Sequence, residues 1–99
     1  MEYEKPLKKG FTVYSKSGCP NCSKVKQLIK EKNYDFLIID CDEYLIEDKE
    51  NFLSYMKTIS SNDITSFPII FYNEKFIGGY KETVDYVNKV LEIDFEEDF

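Results

Sequence analysis

Three residue types with functional side chains, His, Trp and Arg, are missing from this chain of 99 residues, and their absence removes several classes of chemistry. The chain contains no His and no Trp, and all thirteen of its basic residues are Lys, so Arg is absent as well. Without His there is no Cys–His nucleophile pair and no Ser–His–Asp triad. Without Arg there is no guanidinium fork for the bidentate recognition of carboxylates or phosphates. Any catalysis by this chain has to use other side chains.

Clustered positive charge and long apolar runs are also scarce. The net charge is −6, and residues 92–99 hold five acids and no base, whereas the other 91 residues hold 14 acids and 13 lysines. We expect no nucleic-acid partner, because binding through counterion release needs clustered positive charge. No run approaches the ~20 apolar residues of a membrane helix. The polar N-terminus does not read as a signal peptide, so we expect a cytoplasmic protein that does not contact membranes.

The chain has the length of one domain, which we place at 1–91, followed by an acidic tail at 92–99. Short runs of aromatic, β-branched and other apolar residues predict strands at 11–15, 36–39 and 68–72, and the turn at 73–74 predicts a partner strand at 75–77. Apolar residues at helical spacing predict helices over about 20–32 and 46–60, and a last one from about residue 82. The order β-α-β-α-β-β-α is typical of an α/β domain with one crossover and a hairpin. We interpret the tail as a helix end that frays into solvent, with an acidic-aromatic docking segment as the alternative.

The cysteines could belong to a metal site, a structural disulfide or a redox centre. There are three of them, Cys19, Cys22 and Cys41. An odd number without a secretory signal favours metal or redox chemistry over a disulfide framework. Structural zinc usually has four N or S ligands, which this chain does not offer, so we expect no metal. A structural Cys19–Cys22 bridge would close a very short loop and remove little entropy from the unfolded chain.

The stretch SGCPNC at 17–22 has the features of a redox centre. Cys19 falls at the N-cap of the first predicted helix and Pro20 at its first residue, where the missing N–H costs nothing. The free N–H groups of that turn favour a thiolate at Cys19, and Lys16 lies three residues earlier. Cys22 is one turn further on, within reach to resolve a mixed disulfide. We interpret Cys41 as buried and inert, with glutathionylation or dimer formation as alternatives.

The motif and two later landmarks resemble the glutaredoxins. Residues 14–22, YSKSGCPNC, are similar to the Y-S-K-x-x-C-P-Y-C stretch that is typical of that family. SFP at 66–68 stands in the place of the family's T-V-P, and IGGYKE at 77–82 resembles its I-G-G-x-x-D. The resemblance covers residues 11–91. It implies a thioredoxin-like α/β fold, in which three main helices flank a four-stranded mixed sheet, and a cis peptide bond before Pro68.

The resemblance also implies a function. It indicates a monomeric, glutathione-dependent dithiol glutaredoxin that reduces protein disulfides and glutathione mixed disulfides. Cys19 would be the nucleophile and Cys22 the resolving thiol of a redox-active disulfide, with glutathione as reductant. The partners would be disulfide-bearing or glutathionylated proteins, with ribonucleotide reductase as one candidate. The residues that the resemblance implies for glutathione binding are Lys16, Ser66, Phe67, Pro68, Gly79, Lys81 and Glu82.

The chain departs from the family pattern at four positions. Asn21 replaces a Tyr between the cysteines, and Thr65 replaces a frequent Arg that helps to hold a glutathione carboxylate. Lys81 stands where a small hydroxyl residue is common, and Glu82 replaces an Asp that helps to bind the γ-glutamyl ammonium. Two alternatives therefore stay open. One is an electron donor that is reduced by thioredoxin reductase or serves one partner protein. The other is an iron–sulfur cluster carrier, which Pro20 disfavours because such relatives often have a smaller residue there.

Overall fold

The structure is a computed structural model that describes residues 2–92. The predicted order of elements is confirmed, with one additional helix. The acidic tail predicted at 92–99 lies outside the described residues from residue 93 onward. The elements are β1 (Phe11–Ser15), α1 (Pro20–Glu31), β2 (Phe36–Asp40), α2 (Asp42–Glu47), α3 (Lys49–Ser60), β3 (Ile69–Tyr72), β4 (Lys75–Gly78) and α4 (Tyr80–Tyr86), which continues as a π-helical segment, Val87–Leu91.

The four strands form one mixed sheet, as predicted, and their order in the sheet is β2-β1-β3-β4. β1 pairs in parallel with β2 and antiparallel with β3, and β3 and β4 form an antiparallel hairpin. All five residues of β1 are buried, because β1 is a central strand with helices on both faces. The loops after β1 and β2 therefore leave the sheet at the same edge.

The two faces of the sheet carry two apolar cores. Phe11 and Val13 point to one face, where they pack with residues of α1 and with Val87. Tyr14 points to the other face, where it packs with Phe52 of α3. This alternation follows from the period of two along a strand. The two cores fix α1 and α3 on opposite sides of β1.

The helix predicted over 46–60 is wrong at its start. Asp48, with φ −150° and ψ 38°, interrupts it, so that α2 and α3 are separate helices. None of the residues of α2 is buried, and Ile46 is 82% exposed. The half-buried apolar residues of this six-residue helix, Tyr44 and Leu45, are adjacent, so α2 shows no apolar periodicity and was not predicted. The hydroxyl of Tyr3 donates a hydrogen bond to Asp48 and ties the N-terminal segment to this junction.

The last helix begins at Tyr80, two residues before the predicted start at Glu82. The reason is a cap: Oε1 of Glu82 accepts a hydrogen bond from the N–H of Gly79 at 2.8 Å. A carboxylate three residues into a helix satisfies a free N–H at its start. Among residues 2–92, no helix has the length and apolar character that a membrane crossing requires.

Candidate functional site

Cys19 and Cys22 lie in the first turn of α1, at the edge of the sheet where β1 ends. Cys19 is the N-cap residue with extended backbone, and its Sγ accepts a hydrogen bond from the N–H of Cys22 at 3.1 Å. Pro20 occupies the first helical position, as predicted. The two sulfurs are joined as a disulfide, with the Cα atoms 5.2 Å apart. Cys19 is partly exposed and Cys22 is 1% exposed, so an incoming reactant meets Cys19 first.

The loop before Cys19 is held by α2. The N–H of Ser17 donates to Oδ1 of Asp42 at 2.8 Å, and its hydroxyl donates to Oδ2 of the same carboxylate. These two hydrogen bonds lower the pKa of Asp42, because they favour the charged form. Gly18, which follows, has φ +66°, a conformation that suits glycine. Asp42 was not predicted as part of the site, although an acid just after a strand that is parallel to β1 was the available signal.

Across a cavity from Cys19 lies the loop that leads into β3. The peptide bond between Phe67 and Pro68 is cis, which confirms that prediction. Nζ of Lys16 lies 5.6 Å from the centre of the Phe67 ring, within the range of a cation–π contact. The cavity measures about 350 Å³, within the ~300–1,000 Å³ of small-molecule sites. It is lined by Lys16, Gly18, Cys19, Pro20, Asn21, Thr65, Ser66 and Phe67.

A neighbouring cavity of about 290 Å³ contains three more of the predicted residues. Pro68, Gly79 and Glu82 line it, and Ser66 lines both this cavity and the one beside Cys19. Glu82 uses Oε1 as the helix cap described above, so this carboxylate is held at the cavity wall. Lys81 is exposed and lines neither cavity. The structure therefore brings six of the seven residues predicted for glutathione binding together, and Lys81 stands apart.

The third cysteine has a different environment. Cys41 is 0% exposed and packs in the core between the sheet and α3. Burial, and the nearby carboxylate of Asp40 to a lesser degree, raise the pKa of its thiol to about 12. Its N–H donates to the carbonyl of Ser15 at 2.8 Å, which joins the ends of β1 and β2. The predicted buried position of Cys41 is confirmed. Within residues 2–92, no group of three or more His, Cys, Asp or Glu side chains is placed to hold a metal ion.

The chain is similar in sequence to known proteins of one family. Residues 11–77 match the family model of the glutaredoxins. The chain is 33% identical to Glutaredoxin 1 of Rickettsia conorii over 67 residues, which cover 68% of this chain and 61% of that relative. The match thus spans less than two thirds of the curated relative.

Solved structures share the fold. Glutaredoxin 1 from Francisella tularensis, complexed with cacodylate, superposes with a TM-score of 0.72 and 28% identity, over 84% of this chain and 96% of that one. The buckwheat glutaredoxin–glutathione complex superposes with a TM-score of 0.65 and 23% identity, over 79% and 67% of the two chains. The first similarity extends over almost the whole of the Francisella chain. The second, at its lower identity, shows a shared fold.

Proposed function

This chain belongs to the glutaredoxin family, and we propose that it is a dithiol thiol–disulfide oxidoreductase that uses glutathione as its reductant. The observation that carries the proposal is the asymmetry of the cysteine pair. Cys19 is partly exposed at the start of α1 and its sulfur accepts an N–H, whereas Cys22 is buried one turn further on. Thiol–disulfide exchange needs an accessible attacking thiolate and a second thiol within reach of it.

The reaction on a protein disulfide has two exchange steps. The Cys19 thiolate attacks one sulfur of the substrate, a mixed disulfide forms, and the other substrate sulfur leaves as a thiolate that takes up a proton. Cys22 then loses its proton and attacks the Cys19 sulfur, which releases the second substrate thiol and closes the Cys19–Cys22 disulfide. The substrate gains two electrons and the pair is oxidised. Two molecules of glutathione return these electrons and leave as glutathione disulfide.

The charges around Cys19 support glutathione as the reductant. Glutathione carries two carboxylates and one ammonium. Lys16 lines the cavity beside Cys19, and the Glu82 carboxylate lines the adjoining cavity with Gly79. Ser66 belongs to both cavities, so the two binding regions are continuous. We propose that Lys16 holds a carboxylate at one end and that Glu82 holds the γ-glutamyl ammonium at the other.

The backbone beside the cis peptide bond completes this site. Phe67 and Ser66 lie across the cavity from Cys19, and we propose that the Phe67 backbone pairs with that of glutathione or of a peptide substrate. The buckwheat glutaredoxin of the same fold is in complex with glutathione. A role for Lys81 has less support, because this residue lines neither cavity.

A coupled assay tests the choice of reductant. Reduction of a glutathionylated peptide is followed with glutathione and glutathione reductase, in parallel with thioredoxin reductase as the competing system. We expect turnover that depends on glutathione and saturates with it. Turnover with thioredoxin reductase alone would contradict the glutathione mechanism and favour a dedicated electron donor. Iron and visible absorbance in anaerobically purified protein would instead favour a cluster carrier.

A further inference from the structure

A second groove continues from the Cys19 cavity towards α2 and α3. It measures about 350 Å³ and shares Lys16, Thr65, Ser66 and Phe67 with the cavity beside Cys19. The roles proposed above for glutathione do not use the far part of this groove. We call it the α3 groove and define it by the residues Lys16, Leu45, Lys49, Leu53, Ile64, Thr65, Ser66 and Phe67.

The floor of the α3 groove is apolar. Leu45, Leu53, Ile64 and Phe67 are half-buried, and all four pack against the core beneath α3. Their remaining surface faces the groove, where an apolar side chain would be removed from water. Glutathione has no large apolar side chain, so this floor offers contacts that glutathione cannot use. A polypeptide substrate can use them.

The charge of the α3 groove is opposite to that of the whole molecule. Lys16 and Lys49 are exposed and line it, and no acid among residues 2–92 lines it, although the chain has a net charge of −6. Asp63 precedes Ile64 in the chain, but its carboxylate pairs with Lys57 at 3.1 Å. The groove therefore joins a local positive charge to an apolar floor, a few residues from the reactive sulfur.

From this combination we propose that the α3 groove docks a segment of the protein substrate that carries an apolar side chain beside an acidic one, close to the disulfide to be reduced. The inference rests on the proposed function and extends it to the choice of protein substrate. Rim charges of this kind act mainly on the rate of association and on selectivity. The net charge of −6 would by long-range attraction favour a basic segment, whereas the two lysines of the α3 groove favour an acidic one. The groove and the whole molecule therefore predict opposite preferences.

Peptide disulfides provide the test. Three peptides of equal length carry Leu-Glu, Leu-Lys or Ser-Glu beside a single Cys, each joined by a disulfide to uncharged 2-mercaptoethanol. The rate constant of their reduction by excess reduced protein is measured without glutathione. We expect the Leu-Glu peptide to react about tenfold faster than the Leu-Lys peptide, since an exposed ion pair is worth about two- to fivefold and two lysines act together. The Ser-Glu peptide, which lacks the leucine, should react about tenfold more slowly than the Leu-Glu peptide.

Matched variants locate the effect. Lys49→Glu should reduce the preference for Leu-Glu over Leu-Lys about fivefold. Lys30→Glu makes the same change in net charge on the exposed last turn of α1, and it should leave the preference nearly unchanged. In about 1 M salt the ratio of the Leu-Glu and Leu-Lys rate constants should approach one, because the Debye length falls to about 3 Å. A faster reaction of the Leu-Lys peptide, or equal effects of the two variants, would overturn the inference.

A binding measurement separates the inference from the proposed function. The oxidised protein is titrated with the same peptides, with Ser in place of Cys, and amide chemical shifts are recorded. Shifts at Lys49, Leu53 and Ile64 that are larger with the Leu-Glu peptide support the docking site. Shifts elsewhere, or equal shifts with the Leu-Lys peptide, overturn it. If no disulfide is reduced in the first experiment, the proposed function fails, and this titration still decides the α3 groove.

Discussion

Cys19 and Cys41 occupy equivalent places in the fold and have opposite environments. Each is the N-cap residue of a helix that follows one of two neighbouring parallel strands. The Cys19 sulfur accepts a hydrogen bond from the first turn of α1, whereas the Cys41 side chain makes no capping bond with α2. Cys19 is partly exposed, and Cys41 is fully buried.

The comparison shows that a helix N-terminus does not by itself make a cysteine reactive. α1 has twelve residues and α2 has six, so the shorter helix offers a weaker dipole. Removal from water dominates at Cys41 and raises its pKa to about 12, and the carboxylates of Asp40 and Asp42 add to this rise. The cavity beside Cys19 is open to solvent, and Lys16 is among the residues that line it. Access and local charge distinguish the two sites.

The largest expected effect is that of Cys19→Ser. Without the attacking sulfur, reduction of every disulfide should fall to the uncatalysed rate, because a hydroxyl does not replace a thiolate in exchange. Cys41→Ala is the matched control and should retain activity, because Cys41 lies outside the site. The coupled glutathione assay measures both variants. Near-normal turnover by Cys19→Ser would contradict the assignment of the nucleophile.

Cys22→Ser should separate two activities. Reduction of glutathione mixed disulfides should persist, because glutathione can release the Cys19 mixed disulfide, whereas reduction of protein disulfides should be lost without the resolving thiol. A glutathionylated peptide and a peptide with an internal disulfide are the two substrates to compare. Loss of both activities would contradict the glutathione mechanism.

The buried thiol predicts a loss of stability in alkali. The folded-state pKa of Cys41 is raised from 9.0 to about 12. Its contribution to stability is therefore fully present below about pH 9 and is lost as the pH rises towards 12. For this one group, the free energy of unfolding should fall by up to about 1.4 kcal/mol per pH unit. The slope is measured by urea unfolding of the oxidised protein at a series of pH values that begins at pH 8 and spans about three pH units.

Cys41→Ala serves as the comparison for this slope. The decline should be smaller in the variant, although burial also raises the pKa of Tyr14 and leaves part of the decline in place. Identical slopes in the two proteins would contradict the raised pKa of Cys41, because they would mean that this thiol ionises equally in the folded and the unfolded protein.

The smallest effect concerns the contact between the two loops. Asp42→Ala removes both hydrogen bonds to Ser17 and should lower the melting temperature at neutral pH by a few degrees. The pKa of Asp42 is lowered from 3.8, so its contribution is present above about pH 4 and is lost as the pH falls below that value. The wild type and the variant should therefore converge in acid. Glu43→Ala, the neighbouring exposed acid, is the control, and an equal effect would contradict a specific role of Asp42.

The parts of the structure that follow apolar periodicity were predictable. β1 was placed from its run of aromatic and β-branched residues, and α1 was placed to within one residue because its buried residues recur at helical spacing. The cis bond before Pro68 followed from the resemblance to a family, since local sequence alone favours trans. The start of α4 was misplaced, because the Glu82 cap extends the helix beyond its apolar residues.

Two parts of the site depend on tertiary structure. Ser17 and Asp42 are 25 residues apart in the chain and meet because β1 and β2 are parallel. Lys49 joins Lys16 in one groove because α3 packs beside the loop at Phe67. Neither pairing has a local sequence pattern. Cys19 could therefore be proposed as the nucleophile from its motif, whereas the surface that would select a protein substrate required the fold.

The most direct test of this account is the rate of alkylation at each cysteine of the fully reduced protein. Iodoacetamide is added at pH 7, and labelled peptides are quantified by mass spectrometry over time. We expect Cys19 to react at least about a hundredfold faster than Cys41, because the thiolate is the reacting species and access is required. Labelling of Cys41 as fast as Cys19, or of Cys22 before Cys19, would contradict it.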